Sequence, residues 1–210
     1  GVSAEAVAEL PDAVAAVFIT APSYVGTIAD VASLASACHD RGLVLAVDQA
    51  WGAHLDFMAG RGALANGADL AVTSVHKALL GYSQTAVVGI RGPRLAGTRL
   101  SQAVDLTATT SASGTLLASI DASRAVMDRI GSSGLMQAIE AAERAGAIGS
   151  FLSGAGPTIL ALCEKSEKSI GHAMVSALQK AGLDEVDVRV LSADNGGPTA
   201  ETSSRNDPLR

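Results

Sequence analysis

Apolar residues along the chain fall into short unbroken runs separated by stretches with helical spacing. Residues 13–20 (AVAAVFIT) form a nearly all-apolar run, β-branched towards its end, and the pattern predicts a strand buried on both faces. Residues 43–48 (LVLAVD), 69–74 (DLAVTS) and 85–90 (TAVVGI) predict three more strands. Between the first two, Val31, Leu34, Ala35 and Cys38 recur at the spacing of one helical face. Asp30 stands in the first turn and Gly42 at the C-terminal cap, so a helix is expected over 29–41. Residues 51–66 read as loop and short helix. After Pro93, helices are expected over 94–105, 114–130, 135–152 and 166–182, with a break at 154–157, a weak strand at 186–191 and a polar closing loop. Strand, helix, strand in this rhythm predicts parallel pairing with right-handed crossovers. The expected fold class is therefore α/β: a mostly parallel sheet flanked by helices, with the start of a small C-terminal α/β unit.

Composition narrows the function classes. Hydrophobic residues make up 48% of the 210 and charged residues 17%, which suits a packed core rather than a disordered chain. The net charge is −6 and the lysines and arginines are scattered singly, so nucleic acid is not an expected partner. The apolar runs are strand-sized, short of the ~20 residues of a membrane helix. No secretory pattern opens the sequence, and the cytoplasm is the expected compartment. The two cysteines, Cys38 and Cys163, lie outside any CxxC spacing, and Cys38 is expected as a buried free thiol. No GxGxxG follows a strand, which argues against a dinucleotide-binding domain, and no His/Cys/Asp/Glu cluster has metal-ligand spacing.

Parallel strands bring their carboxyl ends to one rim, where open α/β sheets bind ligands. The rim here would collect Thr20 and Ser23, then Asp48, then Ser74, His76 and Lys77. A lysine just past a buried strand is partly desolvated, and desolvation turns an amine into a nucleophile for an aldehyde. Ser74 and His76 are donors able to hold a phosphate beside it. Asp48, at the end of the preceding strand, can serve as the acid that keeps a pyridine nitrogen protonated. Trp51 is expected as site wall, His54 as a histidine satisfying a backbone carbonyl, and His39 and His172 as solvated surface.

Three stretches carry a resemblance: Ala21-Pro22-Ser23-Tyr24-Val25-Gly26, Val47-Asp48-Gln49-Ala50-Trp51-Gly52-Ala53-His54, and Thr73-Ser74-Val75-His76-Lys77 continuing to Gln84-Thr85-Ala86. In this order they resemble the major domain of the Orn/Lys/Arg decarboxylase family, pyridoxal-phosphate (PLP) enzymes of fold type I. Thr110-Ser111-Ala112-Ser113 and Leu116–Asp121 resemble a further family stretch. Leu80 stands where the family prefers a small residue, and Ala112 where it usually has Pro.

The resemblance implies a PLP-dependent decarboxylase of lysine, ornithine or arginine. Lys77 would form the Schiff base and Asp48 pair with the pyridinium nitrogen. Ala50 would pack on the ring, Ser74 and His76 would hold the phosphate, and Thr110 and Ser111 would reach the cofactor of a neighbouring subunit in a homodimer or higher oligomer. Residues 1–132 would be the PLP-binding large-domain portion, and 133–210 a helical extension with the start of the small C-terminal domain. The leading segment that supplies the family's phosphate cup has no counterpart, so the chain is expected to be an internal piece of a longer polypeptide. An aminotransferase or lyase of the same fold, or an inactive truncated fragment, stays open as an alternative.

Overall fold

The computed structural model describes residues 2–108, 111–152 and 158–192. The expected break at 154–157 and the closing loop lie outside them. A short helix, α1 (Ala4–Ala8), which the apolar pattern did not announce, opens the fold. Strand β1 (Ala16–Thr20), helix α2 (Val31–Asp40), strand β2 (Val44–Asp48), a 3₁₀ turn (Ala53–Phe57) and strand β3 (Leu70–Ser74) follow. The chain then makes one helical turn, α3 (Val75–Ala78), and returns as β4 (Ala86–Ile90). The sheet order is β1-β2-β3-β4; the first three strands are parallel and β4 is antiparallel to β3.

Register divides the sheet into two unlike faces. Ile19 aligns with Val47 and Val47 with Ala71, and this side is buried under Val31, Leu34, Ala35 and Cys38 of α2. Helix α2 starts where the Asp30 carboxylate accepts from Ser33 N and ends in a Schellman cap at Gly42, with Leu43 N donating to Cys38 O. Burial makes Cys38 a free thiol of raised pKa. The opposite face is more open: Phe18, aligned with Ala46, is 66% exposed. The expectation that 13–20 is buried on both faces is thus corrected, because α2 covers one side only and β1 is an edge strand among the described residues.

Beyond β4 come α4 (Gly97–Thr107) and α5 (Gly114–Arg144), then β5 (Gly149–Leu152), β6 (Ile159–Leu162) and α6 (Glu167–Lys180). The helix expected over 135–152 stops at Arg144. Gly146 N donates to Glu143 O and Ala147 N to Ala142 O, a Schellman cap, and the chain then enters the antiparallel β5–β6 pair, separate from the main sheet. Residues 186–191 form no strand among the described residues. A second core gathers Val75, Ala78, Leu79, Met127 and Ile130, with Leu135, Leu152 and Leu183 packed against it. Among the described residues, no helix is long and apolar enough to cross a membrane.

Candidate active site

The carboxyl ends of β1, β2 and β3 lie side by side. Thr20 aligns with Asp48, and Asp48 with Val72; strand alternation then puts Ser74, two residues on, on the same open face. Ala21 N donates to Asp48 O and Gln49 N to Val72 O, so the ladder continues past the strand ends and holds the loops in place. The Asp48 carboxylate accepts from Ala50 N at 2.9 Å through Oδ1, which shapes the turn; its other oxygen takes no hydrogen bond among the described residues. Ala50 itself is buried.

β3 runs directly into the turn that carries Ser74, His76 and Lys77. Ser74 is its N-cap residue, yet its hydroxyl makes no capping bond. His76 Nδ1 lies 2.9 Å from Thr85 O; facing a carbonyl, this nitrogen carries the proton and leaves Nε2 for a ligand. Lys77 is half-buried, and its ammonium stands 4.9 Å from the Trp51 ring centroid. Four polar groups at one rim, the Lys77 amine, a free Asp48 oxygen, the Ser74 hydroxyl and His76 Nε2, thus have no internal hydrogen-bond partner among the described residues. Such a donor and acceptor set fits an external ligand bearing a carbonyl, a ring nitrogen and a phosphate.

Of the other expected site residues, Thr110 lies outside the described residues. Ser111 is exposed in the segment leading into α5, a helix tied to the Lys77 loop where Tyr82 N donates to the Ser119 hydroxyl. Leu80, the departure noted above, is 42% exposed and does not crowd the core.

Two histidines differ from expectation. His54 does not satisfy a carbonyl: its buried Nδ1 has no hydrogen-bond partner, and burial lowers its pKa. It faces a cavity of about 670 Å³ between Tyr24, Trp51 and His54 on one side and Met136, Phe151 and Leu152 on the other. His39 is no solvated surface group, for its Nε2 meets the buried Asp69 carboxylate at 3.0 Å. Asp69 also accepts from Leu45 N at 2.9 Å and lies 3.5 Å from Arg94. Among the described residues, no group of three or more His, Cys, Asp or Glu could hold a metal.

This geometry defines the class: an α/β protein whose parallel strands present an amine, a carboxylate and two hydroxyl or imidazole groups at one carboxyl rim. The pattern of the family described as "Orn/Lys/Arg decarboxylase, major domain" matches residues 2–150, and the chain belongs to that family. It is 33% identical over 129 residues to an arginine decarboxylase of Halalkalibacterium halodurans, covering 59% of this chain and 26% of that protein. The chain thus spans about a quarter of that relative's length. A shorter stretch of 64 residues is 42% identical to a homoserine kinase of Aquifex aeolicus, covering 30% of this chain and 22% of the kinase. Among solved structures, a cystathione gamma lyase from Micromonospora echinospora is 22% identical over 70% of this chain and 38% of its own, with a TM-score of 0.48.

Proposed function

We propose that this chain is the cofactor-bearing part of a PLP-dependent decarboxylase acting on a basic amino acid (lysine, ornithine or arginine) in the cytoplasm, as a homodimer or higher oligomer. Family membership supports the reaction class. The observation that carries the site assignment is the placement of Lys77 one turn beyond β3, on the rim that Asp48 shares.

When bound, PLP supplies an aldehyde for an amine and a ring that accepts an electron pair. The residues do the rest. The Asp48 oxygen left without a partner is placed to keep a pyridine nitrogen protonated. Ala50, small and buried, would leave room for a planar ring. The Ser74 hydroxyl would donate to a phosphate, and the His76 ring, oriented by the Nδ1–H bond to Thr85 O, would stand beside it. Lys77 would supply the nucleophilic amine, and its ammonium is the group that would give a proton to the substrate carbon. Trp51 shields one side of that amine from water.

The test is borohydride reduction in the presence of PLP, followed by peptide mapping. The pyridoxyl group should be found on Lys77 and be lost in Lys77→Ala; an adduct on Lys165 or Lys168 would overturn the assignment. With lysine, ornithine or arginine, carbon dioxide and the matching diamine or agmatine should form. Asp48→Ala should keep the adduct and lower turnover by several orders of magnitude. An oxo acid product would move the chain to the aminotransferases.

A further inference from the structure

We infer that the chain joins two lineages: a decarboxylase-family part, and beyond it a segment that shares descent with homoserine kinases and folds as its own unit. A 64-residue stretch at 42% identity to a kinase stands beside a 129-residue stretch at 33% identity to an arginine decarboxylase. At 129 and 64 residues the two stretches fit within the 210 residues without overlap, and on this inference they occupy different parts of the chain. The family pattern takes residues 2–150, which leaves 151–210 as the main room for the kinase-like stretch.

The fold breaks about twenty residues before the family pattern ends. Helix α5 is interrupted at Gly131, whose φ of 62° and ψ of 173° are not helical. Helix α5 packs on β5, β6 and α6, and among the described residues the β5–β6 sheet shares no hydrogen bond with the main sheet. The described residues of 132–152 and 158–192 thus follow an α-β-β-α order, over a span close in length to the matched stretch. Since the family pattern runs on through the second half of α5, the join lies between Gly131 and Ser150. From sequence, 133–210 is expected to be a helical extension with the start of the decarboxylase small domain; shared descent with homoserine kinases would give its last part another origin.

The join bears on the site. Leu135 and Leu152 of the second unit pack on the core that holds Ala78 and Leu79, directly after Lys77. Met136, Phe151 and Leu152 form the far wall of the cavity at His54. Phe151 and Leu152, which lie past the end of the family pattern, would be the part of that wall brought by the added unit.

Two measurements test the inference. Compared separately with known proteins, residues 151–210 should match homoserine kinases and residues 1–131 should not; a kinase match falling within 1–131 overturns the shared descent. Folding is tested by native-state hydrogen exchange on the full chain carrying Ile170→Asp, which charges a buried position of α6. Exchange across 149–180 should rise by about tenfold or more, while peptides covering Val44–Asp48 and Leu70–Ser74 change by less than about twofold. Equal acceleration in both parts, or none in 149–180, overturns the separate unit.

Discussion

The Lys77 ammonium lies over the Trp51 ring, 4.9 Å from its centroid, and so spans from the turn after β3 to the loop after β2. Trp51 follows Asp48 by three residues, so the same contact ties the amine to the loop that carries the carboxylate. Trp51 is the only tryptophan of the chain, which makes the contact visible in fluorescence. Lys77→Met should change the Trp51 emission maximum and intensity while lowering stability by no more than ~1 kcal/mol, the scale of a partly exposed cation–π pair. Unchanged emission would separate the two residues in solution.

His54 predicts an acid-sensitive fold. Burial holds its folded pKa below the ordinary 6.5, so the unfolded chain takes up the proton first as pH falls. Stability from this residue is present above 6.5 and is lost as pH drops towards the folded pKa. His54→Leu removes the difference, and its urea midpoint should fall less than the parent's between about pH 7 and 5. Equal pH slopes in both proteins would count against a desolvated His54.

Asp69 is the structural acid of the first unit. Asp69→Ala strands Leu45 N–H and removes the partner of His39 and Arg94, and should cost about 3–5 kcal/mol in chemical denaturation. His39→Ala leaves the carboxylate its backbone and arginine partners and should cost less.

Gly131 holds a backbone conformation that side chains avoid. Gly131→Ala should destabilise the chain by about 1–3 kcal/mol in denaturant titration. An alanine without effect would mean that α5 straightens through this point.

The first three strands and α2 were legible because each buries an apolar face of regular period, and Asp30 and Gly42 mark the helix ends. The rim residues were legible too, since parallel strands bring their ends together without further information. The direction of β4 was not, for an apolar run of five residues carries no sense of orientation. β5 was hidden inside an alanine-rich stretch whose helical spacing runs on; Gly146, directly after Arg144-Ala145, was the stop signal. The His39–Asp69 pair bridges 30 positions, and no local pattern announces it. His54 was expected to bond a carbonyl because isolated buried histidines commonly do, and here the 3₁₀ turn offers its Nδ1 none.

Thr85 closes the loop that begins after β3. Its carbonyl receives both Val75 N–H and His76 Nδ1–H, its hydroxyl donates to Tyr82 O, and the next residue, Ala86, pairs with Ser74 across the ladder. The segment bearing the lysine is in this way a stitched pouch whose mouth is the β3–β4 ladder. A guest entering it meets groups already in position, so little ordering entropy is left to oppose capture. The speed of loading should then follow the chemistry of the amine, with the Val75 amide as slow to exchange before the guest arrives as after.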